Sequence, residues 1–215
     1  MRRPRFRTSV GVAAGVAAFA ATAVLAMTHN GGVASTPAAG PLGPEGVPIP
    51  AGAELARAQS LANGQRTDGI ACQTSEQVLF HIHAHLTVFV DGKARRVPAG
   101  IGIAPPLEVQ ETPVGAFVAR AACFMWLHTH SADGIIHTES PITRAYTLGN
   151  FFDIWGQPLS RVRVGPARGP VTALVDGRRF NGDPRQIPLL RHAQIQLEVG
   201  KPLVAPELIA FPPGL

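Results

Sequence analysis

The most regular pattern in the chain is an alternation of apolar and polar positions over residues 80–90. Every second residue from Phe80 to Val90 is apolar, and the positions between them are occupied by His81, His83, His85, Thr87 and Phe89. Such a period of two predicts a β-strand with one apolar and one imidazole-rich face. Asp-Gly at 91–92 is typical of a tight hairpin turn, after which 94–97 would form the returning strand.

Shorter patterns of the same kind predict further strands and two helices. The additional strands are expected over 115–121, 123–130, 134–140, 159–164, 171–176 and 192–199. In the last of these, alternation places Gln194, Gln196 and Glu198 on a solvent-facing side. Apolar residues at helical spacing predict helices over 54–62 and 148–155. Together these elements predict a mainly β fold, a single β-sandwich or barrel-like domain with one or two short helices.

The first residues have the pattern of a targeting segment. Residues 1–8 contain four arginines and no acidic residue, and 9–27 are almost wholly apolar. This pattern predicts either a signal peptide or a single transmembrane anchor over 1–27. Small residues at Val24-Leu25-Ala26 and Gly32-Val33-Ala34 both suit cleavage. An uncleaved segment 9–27 would attach the protein to the membrane, and both alternatives place the body outside the cytoplasm, secreted or anchored.

Proline content divides the rest of the chain. Residues 28–53 are rich in Pro and Gly without an apolar period, so they predict an extended, unpacked linker. The His-rich β domain is expected over 54–204. A Pro-rich tail over 205–215 would fold onto the domain surface or fray.

Composition excludes several classes of protein. In 215 residues, 46% hydrophobic and 15% charged positions provide a real core and exclude a disordered polyelectrolyte. The formal charge is +5, but four of the 19 basic residues are Arg2, Arg3, Arg5 and Arg7, which leaves 15 against 14 acidic residues. The basic character belongs to the N-terminus, so no nucleic-acid partner is expected.

The only two cysteines, Cys72 and Cys123, are predicted to form a disulfide because the body is exported. The alternative is a pair of thiolate metal ligands. Neither cysteine belongs to a CxxC unit, which favours the disulfide.

The histidines are the candidate functional residues. Residues two apart on a strand project from the same face, so paired imidazoles can converge on one metal ion. After His130, the turn Ser-Ala-Asp-Gly predicts a hairpin that returns the next strand towards the preceding one. The predicted metal ligands are His83, His85, His128, His130 and His137, with His81 and Glu139 as the next candidates.

Each of these histidines could instead have a purely structural role. A His on a strand is more often a solvated or hydrogen-bonded surface residue than a ligand. Three imidazoles in succession on one face favour metal binding over that interpretation. His192 stands alone at the start of a polar face, and it is predicted to have no role in the site.

Four segments resemble an uncharacterised family of exported prokaryotic His-rich β proteins. They are FHIHAHLTVFVDG, VPAGIGI, CFMWLHTHSADGIIHTESP and YTLGNFFDIWG, and the similarity covers roughly residues 68–200. The resemblance implies a grouping and no particular activity. Family members often have Asp after the HTH triplet, where this chain has Ser131. Any role of that Asp would fall here to Asp133 or Glu139.

Three functions remain open at this stage. All-imidazole sites suit copper or zinc outside the cytoplasm, which favours a metal-binding protein that handles or stores the ion. The alternative is a metalloenzyme, a hydrolase or oxidoreductase, with Glu139 as general base. The third is a surface interaction module whose His face is incidental. Substrate and protein partners do not follow from the sequence.

Overall fold

The computed structural model describes residues 36–37 and 40–215, and strands are the main element of this part of the chain. The mainly β prediction is confirmed. The strands are β1 Thr36–Pro37, β2 Arg66–Thr67, β3 Ile70–Gln73, β4 Phe80–Val90, β5 Lys93–Arg95, β6 Ile103–Ala104, β7 Glu108–Thr112, β8 Gly115–Arg120, β9 Cys123–Met125, β10 Leu127–His128, β11 Ile135–Ser140, β12 Leu159–Ser160, β13 Arg163–Val164, β14 Ala167–Arg168, β15 Val171–Val175, β16 Arg178–Phe180, β17 Gln194–Val199 and β18 Glu207–Leu208.

The same residues contain one α-helix, α1 Leu148–Trp155, and one 3-10 helix, Pro184–Gln186. Neither they nor any other described helix has the length and apolar character needed to cross a membrane. The predicted targeting segment 1–27 lies outside the described residues, as does most of the linker before residue 40.

A seven-stranded sheet forms the centre of the domain. Its strand order is β10-β11-β4-β17-β15-β16, with β5 also paired to β4. β17 runs parallel to β4, and the other neighbouring strands are antiparallel. The predicted turn at Asp91-Gly92 is present, with φ of 49° and 70°, the positive values that a type I′ hairpin turn requires at both positions. This order puts β10, β11 and β4 side by side, the strands that carry His128, His137 and the histidines of the alternating pattern.

The apolar face of β4 packs into the main core. Leu86 and Val88 are fully buried there, together with Phe151 and Trp155 of α1. The helix begins where it was predicted because Thr147 and Asn150 form a capping box, and it ends at Gly156 with φ of 69°. The helix therefore covers the sheet face opposite the histidines.

A four-stranded sheet, in the order β2-β3-β9-β6, contributes to the same core. The structure joins Cys72 of β3 to Cys123 of β9 by a disulfide, with their Cα atoms 5.4 Å apart, as predicted. β9 is separated from β10 only by Trp126, so the disulfide fixes the strand that continues into the first histidine pair.

The helix predicted over 54–62 is wrong. In this segment Leu55 N–H donates to the carbonyl of Arg96, and Arg96 N–H donates to the carbonyl of Ala53. These pairings beside β5 replace helical hydrogen bonds. Leu55 and Leu61 are nevertheless buried, because the apolar residues that suggested a helix pack into the core as an irregular segment.

The expectation of an unpacked linker is wrong for residues 40–53. Gly43 N–H donates to the carbonyl of Val47, and Ile49 N–H donates to that of Pro41, which closes a compact loop over 41–49. Val47 is fully buried and packs against Ile135 of β11. We call residues 41–49 the strap, because they cross the His-bearing face of the sheet.

The C-terminal tail folds onto the domain. This is one of the two predicted alternatives, the other being a frayed tail. Val204 and Glu207 N–H groups donate to Glu198 Oε2 and Gln196 Oε1. Gln196 and Glu198 are consequently buried, so the prediction that this side of β17 faces solvent is wrong. The tail supplies apolar cover and backbone donors that match the polar side chains of β17.

Candidate metal centre

The central threonine of the HTH triplet fixes the direction of the two histidines beside it. Thr129 Oγ1 donates to the carbonyl of Pro98 at 2.8 Å and accepts from Ile101 N–H at 3.1 Å. Its backbone also pairs with Gly100 and Ile101. Because alternate residues of an extended chain point to opposite sides, this anchorage of Thr129 turns His128 and His130 to the other side.

The predicted hairpin after the triplet returns the chain to the same face. Asp133 Oδ1 accepts from Ile135 N–H at 3.1 Å, which closes the turn before β11. In the register, His137 of β11 lies opposite His128 of β10 on one side and His83 of β4 on the other. Three imidazoles therefore form a row across three adjacent strands.

A second row lies directly beside the first. Glu139 of β11 is paired with His81 of β4, two residues from the His137–His83 pair. His83, His137 and Glu139 are buried, whereas the side chain of His81 is 38% exposed. The face that combines these rows is the histidine cluster: His81, His83, His128, His130, His137 and Glu139.

Two nitrogens in the histidine cluster, Nε2 of His128 and Nε2 of His130, face each other. Nδ1–H of His128 donates to the carbonyl of Met125 at 2.9 Å, and Nδ1–H of His130 donates to that of Val118 at 2.6 Å. In neutral rings each Nε2 then carries a lone pair, and these two Nε2 atoms lie 3.0 Å apart. A positive centre, a proton or a metal ion, is needed to make this approach favourable.

The remaining donors converge in the same way. His81 Nε2 lies 3.1 Å from both His83 Nε2 and Glu139 Oε1. His137 Nδ1 lies 3.2 Å from His83 Nε2 and 3.3 Å from Glu139 Oε1. Two donors bound at about 2.0–2.1 Å to one tetrahedral ion are about 3.3 Å apart, so these separations suit ligands of a common ion.

Glu45 of the strap reaches the cluster from a distant part of the sequence. Its Oε1 accepts from His137 Nε2 at 2.6 Å, and its Oε2 accepts from Ser131 Oγ at 2.8 Å. The sequence analysis did not single out Glu45. A signal existed, since Glu45 is the only charged residue in the apolar, Pro-rich stretch 28–53.

Glu76 marks the solvent side of the cluster, and the sequence analysis missed it as well. Its carboxylate lies 3.3 Å from His130 Nε2, and its side chain is 39% exposed. A cavity of about 450 Å³ extends from this point, and His81, Glu139 and residues 212–215 of the tail also line it. The cluster is thus reachable from solvent on one side and closed on the other.

The environment separates the pKa values of the histidines. Burial, with the positive charges of His137 and His81, lowers the pKa of His83 to about 3. Burial and neighbouring histidines also hold the pKa of His128 well below its usual value. For His137, burial lowers the pKa, but hydrogen bonds to Glu139 and Glu45 outweigh it and raise the pKa to about 9. His83 and His128 are therefore neutral near pH 7, and His137 holds a proton.

Burial and the same charges also shift the pKa values of two acidic residues, Glu45 in the strap and Asp133 in the turn before β11. Burial would raise the pKa of Glu45, but the hydrogen bond and charge of His137 outweigh it and lower the value. Burial, with the negative charge of Glu45, raises the pKa of Asp133 to about 7. Asp133 Oδ2 lies 2.5 Å from Ser131 Oγ, so it supports Ser131 beneath Glu45.

The structure shows where His85, a predicted ligand, and His192, predicted to have no role in the site, lie in the fold. His85 is buried, but its Nε2–H donates to the carbonyl of Asp133 at 2.9 Å, and the structure does not bring it into the cluster. His192 N–H donates to the carbonyl of His83, but its side chain is outside the cluster, as expected: its Nε2–H donates to the carbonyl of Leu215 and its ring stacks on Phe211 of the tail. The other predicted candidates, His81, His83, His128, His130, His137 and Glu139, come together.

The cluster offers overlapping sets of metal-ligating atoms. In one set His81, His83, His137 and Glu139 have donor atoms within 4.8 Å of one another. In another His128, His130 and His137 do, and a third combines Glu76, His128 and Glu139. These buried His and Glu groups could hold a metal ion.

Comparison with protein-family models, curated proteins and solved structures gave no match to this chain.

Proposed function

We propose that this chain is an exported, β-sandwich-like metal-binding protein that holds copper or zinc through imidazoles of adjacent strands. Its role would be to handle or store the ion outside the cytoplasm. The observation that carries the proposal is the pair of lone-pair nitrogens of His128 and His130, 3.0 Å apart with both Nδ1–H groups engaged by backbone carbonyls. Such outer hydrogen bonds orient histidine ligands in metal sites.

Burial supports this proposal over an incidental His face. His83, His128, His130 and His137 are all buried, whereas a solvated strand face would expose them. Burying several imidazoles and two carboxylates is unfavourable unless they are paired or bind a cation. A metal ion would satisfy this requirement with the ligands already in place.

The choice of copper or zinc rests on the ligand types. Neutral imidazole suits copper, zinc, nickel and iron, and both sulfur atoms of the cysteines are used in the disulfide. Copper and zinc are the natural candidates for an exported protein. Metal titrations with each ion would separate them.

Thermal unfolding of the full-length chain tests metal binding. A ligand that binds the native state at about 100-fold excess over Kd stabilises it by about 2.7 kcal/mol, so Zn(II) or Cu(II) should raise Tm by about 5–10 °C. H128Q/H130Q should abolish the increase, whereas H192Q, which removes a histidine outside the cluster, should retain it. Equal increases in both variants, or none in the unmodified chain, would reject the proposal.

Export is tested separately through the N-terminal segment. A reporter that is active only outside the cytoplasm, fused to residues 1–39, should be active in the periplasm or medium. Val16→Asp would interrupt the apolar run 9–27 and should retain the reporter inside the cell. An inactive fusion, or one indifferent to Val16→Asp, would argue against export.

One observation favours a second candidate function, a metal-dependent hydrolase or oxidoreductase. The cavity of about 450 Å³ is lined by Glu139 as well as by cluster histidines, so a small substrate has access to both. A bound ion would act as a Lewis acid, and Glu139 would accept a proton as general base. Hydrolysis of a panel of carboxylic and phosphate esters by the zinc-loaded chain, lost in E139Q with zinc retained, would favour this function.

A further inference from the structure

The donors of the histidine cluster divide into two groups that share one histidine. His128, His130 and His137 form the inner group, and both His128 and His130 are nearly inaccessible to solvent. His81 and His83 form an outer group with His137 and Glu139. An imidazole has two ring nitrogens, so His137 is able to serve two ions at once as an imidazolate, with both ring N–H protons released to solvent.

Glu139 lies between the two groups. Its Oε1 belongs to the outer group, 3.1 Å from His81 Nε2 and 3.3 Å from His137 Nδ1. Its Oε2 faces the inner group, 4.0 Å from His128 Nε2. This Oε2 is buried and has no hydrogen-bond partner among the described residues, in a side chain that is 5% exposed. A buried carboxylate oxygen without a partner is costly, and a cation in the inner group would supply one.

The charges around the cluster favour more than one divalent ion. Glu45, Glu76 and Glu139 each lie within 3.3 Å of a cluster histidine. No Lys or Arg of the described chain forms an ion pair with these three carboxylates. Once His137 has given up its proton to act as a ligand, the two positive charges of one divalent ion do not balance three carboxylates, and a second ion would complete the compensation.

Access differs between the groups. The outer group includes His81, which is 38% exposed and lines the cavity together with His83 and Glu139. Of the inner group, His130 and His137 also border the cavity, but both are buried, and the side chain of His128 is fully buried and does not line it. An ion in the outer group would therefore exchange with solvent more readily than an ion in the inner group.

We propose that the chain binds two metal ions, an inner ion held by His128 and His130 and a more labile outer ion held by His81 and His83. His137 and Glu139 are shared between them. This inference rests on the proposed metal-binding function, and it adds a solvent-accessible site from which an ion can be delivered to a partner or reach the inner site.

Metal content of the full-length chain tests the number of ions. After saturation with Zn(II) and gel filtration, elemental analysis should give two zinc ions per chain. H81Q/H83Q should retain one, H128Q/H130Q should lose at least one, and H192Q should retain two. One ion in the unmodified chain that H81Q/H83Q does not affect would overturn the second site while leaving metal binding intact. No ion at all would reject both proposals, and two ions retained in H81Q/H83Q would place the second ion elsewhere.

Chelator kinetics provide a measurement on the unmodified chain, which does not depend on how variants fold. A chromogenic chelator should remove zinc in two phases of equal amplitude, the fast phase coming from the outer ion. H81Q changes only the half-exposed histidine and should remove the fast phase. A single phase that accounts for all the zinc, or a fast phase that persists in H81Q, would overturn the inference.

Discussion

Glu45 Oε1 lies 2.6 Å from His137 Nε2, although 92 residues separate them in the sequence. Both side chains are less than a tenth exposed, so this is a buried ion pair between the strap and the central sheet. Together with the hydrogen bond to Glu139, the pair explains why His137 keeps a proton while His83 and His128 are neutral. It also makes the strap part of the candidate site.

Removing the carboxylate of Glu45 should destabilise the metal-free protein. Breaking a buried pair leaves an uncompensated charge and typically costs about 3–5 kcal/mol, so E45Q should lower the free energy of unfolding by about 3 kcal/mol at pH 6. Glu111→Gln, an exposed position in β7, should change it by less than about 0.5 kcal/mol. Denaturant titration with a chelator present measures both.

The same pair gives the destabilisation a pH dependence. The raised pKa of His137, about 9, means that its stabilisation is complete below the unfolded value of 6.5. It is lost as pH rises from 6.5 through 9, so the difference between E45Q and the unmodified chain should shrink in that range. A difference that grows with pH would contradict this assignment of the proton.

Metal binding should release a proton near neutral pH. His137 holds a proton below about pH 9, and a ligating nitrogen must give it up. Calorimetric titration with Zn(II) at pH 7.5 in two buffers of different ionisation enthalpy should report about one proton released when His137 ligates one ion, and a second when it is shared with the other. Because the pKa of His83 is lowered to about 3 and that of His128 is also well below 6.5, protons should compete for these two ligands only well below pH 6.5. Buffer-independent heats would show that His137 is not a ligand.

His85 should act as a pH-sensitive structural residue. Burial lowers its pKa to about 4, so the native state resists protonation that the unfolded chain accepts below 6.5. Its contribution to stability is complete above 6.5 and is lost as pH falls towards 4, a change of about 3 kcal/mol. Between pH 6.5 and 4, the free energy of unfolding of H85Q should fall less than that of the unmodified chain, by about this amount. Identical pH profiles would contradict the interpretation.

The histidine cluster could be predicted to a large extent because it depends on local rules. Alternation puts His81 and His83 on one face of β4, and the turn before β11 sets His137 opposite His128. These features need only the strand period and a hairpin. The parallel pairing of β17 with β4 has no such local signal, because the two strands are separated by about a hundred residues of intervening chain.

The parts that could not be predicted come from segments without a period. Proline and glycine over 41–49 suggested an unpacked spacer, yet Val47 fills an apolar gap above β11 and Glu45 meets His137. Alternation in β17 correctly separated two faces, but it cannot tell solvent from a covering tail over Gln196. Burial of a strand face depends on what packs across it, which is tertiary information.

The disulfide should be detectable in the native protein and should matter for stability. Intact mass should increase by about two hydrogens on reduction of Cys72–Cys123. The bond closes a loop with a sequence separation of 51, and the loop-entropy model gives about 4 kcal/mol for its contribution. C72S/C123S should therefore unfold at lower denaturant concentration. Two thiols that alkylate freely in native, unreduced protein would contradict the bond.

X-ray absorption on the zinc-loaded, untagged full-length chain tests the central claim most directly. If imidazoles of the histidine cluster hold the ion, the first shell should contain nitrogen and oxygen at about 2.0–2.1 Å without sulfur, with the outer-shell scattering typical of imidazole rings. H128Q/H130Q should reduce that imidazole signal, whereas H192Q should leave it unchanged. A protein that retains no zinc, or an ion surrounded by oxygen alone, would contradict the account.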